Sequence, residues 1–158
     1  MTSGSYRVRV AEGPEDLAAC FAVRKEVFVA EQGVPESLEY DRYDGTALHV
    51  LAVADDGTPL GTGRLLYGDD ALGKTGAGPE VASLGRLAVS AAARGLGVGA
   101  ALVRGIEDAA RDLDRGLTAI DLHAQTQALG FYERLGYEVY GPVFLDAGID
   151  HRAMRRGL

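Results

Sequence analysis

The stretch Ser83-Leu-Gly-Arg-Leu-Ala-Val-Ser-Ala-Ala-Ala-Arg-Gly-Leu-Gly-Val-Gly-Ala-Ala-Leu-Val103 decides the fold. Its first seven residues are rich in branched apolar side chains, as a buried strand requires. Gly85 and Arg86 interrupt the run, and a glycine inside a strand marks a bulge. Gly95, Gly97 and Gly99 then alternate with Leu96 and Val98. Helical spacing follows at Val98, Leu102, Ile106, Ala109 and Leu113. A glycine-rich turn entering a helix presents backbone N–H groups that the helix leaves unpaired. With the helix dipole they favour an anion, most naturally a phosphate. Arg94 adds a fixed positive charge beside them. A backbone packed tightly at the start of a helix would also explain the glycines, so the pattern needs its context.

Working outward, 158 residues suit one domain with a real core. The net charge of −7 argues against nucleic acid or an anionic membrane as partner, since both demand a basic footprint. It permits a cationic substrate. No apolar run is long enough to span a bilayer, and the N-terminus carries no hydrophobic leader. Cys20 is the sole cysteine, so no intrachain disulfide forms. A cytoplasmic location, as monomer or homodimer, fits this usage. The three histidines are scattered without metal-ligand spacing, and no metal is expected.

Towards the N-terminus, residues 6–10 alternate as a strand. Gly13-Pro14-Glu15-Asp16 starts a helix, which its apolar face carries to about Ala30. Cys20 on that face reads as a small core residue. A short helix follows Pro35. The loop Glu39-Tyr-Asp-Arg-Tyr-Asp44 reads either as a solvated acidic loop or as a substrate-facing wall that attracts an amine. Residues 47–54 and 60–67 form a hairpin around Asp56-Gly57, in which His49 is a packed histidine.

Two nucleotide motifs occur out of context. Gly68-Asp-Asp-Ala-Leu-Gly73-Lys74-Thr75 satisfies the P-loop pattern. However, Gly76, Gly78 and Pro79 follow at once, and Asp69 and Asp70 would repel phosphate. The segment reads as a mobile loop. Gly95-x-Gly97-x-x-Ala100 with Asp121 fits a dinucleotide fingerprint, but the turn lies too far from its strand and Asp121 sits within one. Nucleotide binding stays a minor alternative.

Towards the C-terminus, residues 118–124 are a strand with Asp121 and His123 on one face. Residues 125–135 form a short helix stopped by Gly136. Strand-like pieces at 137–140, 143–145 and 151–155 complete the chain. The element order gives a mixed α/β (α+β) sheet.

Bulged strand, Arg94-x-x-Gly97-x-Gly99, helix, second strand and Phe131-Tyr-Glu-Arg-Leu-Gly-Tyr137 together resemble the GCN5-related N-acetyltransferase (GNAT) superfamily. Within it, Val27-Phe-Val-Ala-Glu-Gln-Gly-Val-Pro35, Leu122-His-Ala-Gln125 and Phe144-Leu-Asp-Ala-Gly-Ile-Asp-His151-x-x-Met154 are similar to the ElaA/YjcF-like group. The resemblance implies a mostly antiparallel central sheet whose two parallel central strands splay apart, flanked by about four helices. It implies acetyl-CoA as co-substrate. The backbone of Leu87, Ala88 and Val89 would pair with pantetheine, and Arg94, Gly95, Leu96, Gly97, Val98 and Gly99 would hold the pyrophosphate. Gln125 stands where many members have an asparagine. Tyr132 matches the tyrosine near the departing thiolate, where a protonated phenol donates to sulfur; packing on the core is its other reading. Leu87 N–H would polarise the thioester carbonyl.

The acceptor implied is a small-molecule amine that attacks the thioester directly. The glutamate base of several relatives is missing from the strand. Glu31, Asp44, His123 or an ordered water are the candidates, and Glu31, Asp44, His123 and His151 are candidate acceptor-pocket residues. A non-catalytic acyl-CoA sensor would keep the glycine turn but lack a working acid, base and acceptor pocket.

Overall fold

The computed structural model describes residues 5–158, with Leu38 described by its backbone alone. Its strands are β1 (Tyr6–Val10), β2 (Leu48–Ala54), β3 (Pro59–Leu66), β4 (Val81–Val89), β5 (Ala119–Gln125), β6 (Glu138–Asp146) and β7 (Ile149–Gly157). They form one sheet in the order β1-β2-β3-β4-β5-β7-β6. Among the described residues β4–β5 is the one parallel pair. The α-helices are α1 (Gly13–Arg24), α2 (Glu36–Glu39), α3 (Asp69–Thr75), α4 (Val98–Asp112) and α5 (Leu129–Arg134). None is long and apolar enough to cross a membrane.

The apolar run of β2 is buried on both faces, which is why it reads as continuous rather than alternating. Val50 and Ala52 join the main core with Leu102 and Ile106 of α4. Leu51 and Val53 turn the other way, onto Cys20 of α1. Cys20 is fully buried, as its helix face implied. Helix α4 lies very close to β3. A Cβ built on Gly63 would stand 2.7 Å from Ile106 Cδ1, and one on Gly61 2.8 Å from Leu102 Cδ1. These two glycines let the helix settle on the sheet and so fix where its N-terminus emerges.

The bulge read at Gly85-Arg86 is present. Ala88 pairs with Thr62 and Gly85 with Arg64, so Arg86 and Leu87 together oppose the single residue between them. Arg86 takes φ 52°, an uncommon conformation for a residue with a Cβ.

Several boundaries differ from the sequence reading. The first helix is α-helical only to Arg24 and continues as a π-helix over Lys25–Glu31, where Gln32 N–H reaches back to Val27 O. The P-loop-like segment is a short helix, α3, not a mobile loop. Gly68 of the motif caps its start, Gly73 lies inside the helix, and Gly76, just beyond the motif, stops it in the left-handed conformation. The three C-terminal pieces are one long hairpin. Strand β6 passes through Gly141-Pro142 because a register shift between Tyr140 and Phe144 absorbs the residues that cannot pair. Gln125 ends β5 instead of opening the helix.

Candidate active site

The parallel pairing of β4 and β5 covers only four positions, Val81 to Leu84 against Ala119 to Leu122. Past Leu84, β4 runs on to Val89 and β5 to Gln125 without pairing to each other. The bulge at Arg86 redirects β4, and the two strands splay. A cavity of about 840 Å³ opens over the gap.

One end of this cavity is the start of α4. Gly95 and Gly97 hold φ of 84° and 79°, which bends the chain sharply into the helix. Arg94, Gly95, Gly97, Val98 and Gly99 line the cavity. The first helical bond there runs from Ala101 N–H to Gly97 O, so the preceding amides lie outside the ladder. Leu96 is 38% exposed and is absent from the lining; its carbonyl accepts from Tyr6 Oη at 3.3 Å. Leu87 and Val89 line the gap, whereas the Ala88 side chain is buried against Val23 and Val27 on the opposite side of the sheet.

Tyr132 is buried yet lines the same cavity, with the Phe131 ring edge-on at 4.9 Å. Burial pushes its phenol well above the ordinary tyrosine range, so the hydroxyl keeps its proton at neutral pH. Gln125 Nε2 donates to Gln32 Oε1 at 2.9 Å, joining the end of β5 to the end of the π-helix.

The histidine end is built by the β6–β7 hairpin. His151 Nδ1 lies 2.7 Å from Ile149 O. A carbonyl can only accept, so Nδ1 carries a proton and, in the neutral ring, Nε2 is the acceptor. Phe144 stacks on His151 at 5.9 Å and meets His123 edge-on at 5.0 Å. Burial holds His123 below the usual histidine range despite Asp121 and Asp146 nearby, which leaves it neutral at pH 7. Both histidines line the cavity.

Two expected acceptor residues lie elsewhere. Glu31, expected at the acceptor pocket, and Arg94, expected on the pyrophosphate, are joined to each other, with Arg94 Nη1 donating to Glu31 Oε2 at 2.9 Å. The guanidinium holds the Glu31 carboxyl below its ordinary range, which makes it a poor base. Asp44 is absent from the cavity lining. It accepts from Arg24 Nη1 at 2.7 Å and Arg64 Nη1 at 2.9 Å. Despite burial, those bonds bring its carboxyl down to about 2. It is neither a base nor an open anchor for an amine.

Sequence reasoning missed the network around Asp44. Arg24 Nε donates to Glu39 Oε1 at 3.0 Å, Arg64 Nη1 to Asp41 Oδ1 at 2.7 Å, and Arg86 Nε to Glu39 O at 3.1 Å. Three acids and three arginines from α2, the following loop, α1, β3 and β4 thus neutralise one another at the cavity wall, which Glu39, Asp41, Arg64 and Arg86 help to line. Arg24 on the apolar face of the first helix was the available signal. Asp121 of the dinucleotide fingerprint is likewise engaged, accepting from Arg155 Nη2 at 2.9 Å and from the Tyr140 hydroxyl.

The sequence model of the acetyltransferase (GNAT) family matches residues 16–137. The YjcF protein of Bacillus subtilis (strain 168), described as an uncharacterized N-acetyltransferase, is 38% identical over 148 residues, 93% of this chain and 96% of that protein. Among solved structures, an acyl-CoA N-acyltransferase from Pseudomonas aeruginosa superposes with a TM-score of 0.77 at 33% identity, covering 96% of this chain and 98% of that one. Escherichia coli ElaA gives a TM-score of 0.77 at 27% identity with the same coverage, 96% and 98%.

Proposed function

The chain belongs to the acetyltransferase (GNAT) family, and from that premise we propose that it transfers an acetyl group from acetyl-CoA to the amine of a small-molecule acceptor, by direct attack in a ternary complex. The observation that supports this most is a juxtaposition. The splayed end of β4, the glycine-rich start of α4, Tyr132 and His151 all line one cavity.

Acetyl-CoA supplies the activated acyl group. The amides at the start of α4 face a diphosphate with the positive end of the helix dipole. Arg94 reinforces them once it shares or leaves Glu31. The open edge of β4 offers backbone groups of Leu87 and Val89 to an extended amide-bearing chain, whereas those of Ala88 face Thr62 of β3. Leu87 N–H donates to the carbonyl oxygen as it gains charge. The amine nitrogen forms the new C–N bond while the C–S bond breaks. His151 Nε2 or His123 takes the amine proton, and the Tyr132 hydroxyl donates to the departing sulfur. Both histidines are held beside the cavity: His151 by the Ile149 carbonyl, both rings against Phe144, and His123 with its Nε2 3.8 Å from Asp121 Oδ1.

Titration calorimetry with acetyl-CoA is the direct test. Micromolar binding supports the reading, and no heat at millimolar ligand removes it. Thiol release on adding an amine then separates an enzyme from a protein that only binds acyl-CoA.

A further inference from the structure

The segment from the end of α2 to β2 carries the acids that could have drawn a cationic amine. Glu39 and Asp41 reach the cavity wall, but all three carboxylates are already paired: Glu39 with Arg24 and Arg86, Asp41 with Arg64 and Arg86, Asp44 with Arg24 and Arg64. Beside these neutralised pairs, the charges that this segment and α3 leave without an ion-pair partner at the cavity wall are positive. Arg42 and Lys74 both line it. Arg42 Cζ lies 4.9 Å from the centre of the Tyr43 ring, and Lys74 Nζ lies 5.4 Å from the same centre. Arg42 Nη2 also donates to the Tyr43 hydroxyl at 3.0 Å. Among the described residues neither cation makes an ion pair. Asp70, on α3, accepts from Thr46 Oγ1 at 2.6 Å.

That arrangement is unusual in a chain with 23 acidic residues against 16 basic ones. Elsewhere arginines at the cavity are matched by carboxylates, Arg94 by Glu31 and Arg64 by Asp41. Arg42 and Lys74 are instead steadied by one aromatic ring, which holds a cation in place and leaves its charge open to an anion. Nor do they belong to the end where Arg94 and α4 face a diphosphate. Lys74 comes from α3, close enough to the histidine end for its charge to bear on His123. A polyamine entering there would meet two like charges.

We propose that the acceptor is an amine that also bears a carboxylate, the carboxylate held by Arg42 and Lys74 across the Tyr43 ring and the amine turned towards His123 and His151. The inference rests on the acyltransferase reading above and names its substrate class. Asp146, which lines the same end, is placed to attract the ammonium of such a zwitterion.

The test is thiol release from acetyl-CoA with the L-amino acids, their carboxamides, tyramine and spermidine. At least one free acid is expected to exceed its own amide by about tenfold or more in kcat/KM, because the amide cannot answer the two cations. The double variant Arg42→Gln/Lys74→Met should raise KM for that acid by about tenfold or more and erase its advantage over the amide. Preference for amides, tyramine or spermidine overturns the inference and leaves acyl transfer standing. So does a double variant that weakens acetyl-CoA binding by calorimetry while sparing KM for the acid, since the cations would then serve a phosphate of the co-substrate. Acetyl-CoA binding with no thiol release for any amine overturns the acyltransferase reading, and this inference with it.

Discussion

In the proposed mechanism, acid catalysis rests on Tyr132. Its phenol is buried beside the Phe131 ring and holds its proton at neutral pH. In that surrounding it can give a hydrogen bond or a proton to developing negative sulfur, but it has little reason to hold the neutral thioester tightly. Tyr132→Phe should therefore lower kcat by about a hundredfold, within the range typical for a positioned acid. The acetyl-CoA dissociation constant should move by about threefold or less. Steady-state kinetics beside calorimetry reads the split. Equal losses in both would make Tyr132 a packing residue of the gap. Sequence spacing separates Phe131 from Tyr132, since neighbours in a helix point in different directions; in the fold the two rings meet at 4.9 Å and both line the cavity. Arg42 was not legible: an exposed arginine beside a tyrosine has no sequence signature, and only α3 folding over the same ring gives the pair meaning.

At the scale of elements, the proposed co-substrate site depends on the start of α4. Gly97 caps the helix at φ 79°, and a Cβ there would find only the Tyr6 hydroxyl, 3.8 Å away. Space is therefore not the constraint; backbone conformation is. Gly97→Ala should cost about 1 kcal/mol in denaturant unfolding through left-handed strain. Relaxing that strain rotates the amides that would face the diphosphate, so acetyl-CoA affinity should fall by about tenfold, a loss of comparable energy. Unchanged affinity in calorimetry would detach this turn from co-substrate binding. The helix itself was plain in the spacing of Val98, Leu102 and Ile106, all of which are buried. The π-turn over Lys25–Glu31 was not, because a π-helix and an α-helix share the same apolar periodicity over so few residues.

Across the whole molecule, the arginine–carboxylate cluster ties the N-terminal helix to the sheet. Arg24 is fully buried and meets both Glu39 and Asp44. Arg24→Ala leaves two buried carboxylates short of their partner, and about 3–5 kcal/mol should be lost in chemical denaturation. The cluster also sets acid stability. Asp44 titrates near 2 in the fold against an ordinary 3.8. Its ionised form is thus favoured by folding, by about 2 kcal/mol. That stabilisation is present above pH 4 and is lost as pH falls towards 2. Glu39 works in the opposite sense, since burial pushes its carboxyl up and protonation relieves that penalty. Asp44→Asn should flatten the acid limb of a stability profile between pH 4 and 2. An unaltered limb would place the acid-sensitive groups elsewhere.

What the sequence determined by itself is local in origin. Branched residues before a glycine turn made β4, the bulge at Gly85-Arg86 and helix α4, and the spacing of Gly95, Gly97 and Gly99 marked the turn between them. Each depends on backbone conformation within a few residues, which side-chain pattern reports directly. Tertiary structure alone decided which charges face the cavity. The acids of residues 39–44 are close in sequence to no arginine of β3 or β4, yet folding brings Arg64 and Arg86 onto them. Glu31 and Arg94, 63 residues apart, close on each other in the same way. Charge pairing over such separations follows from packing, because a charge leaving water takes whichever partner the assembled sheet puts within reach.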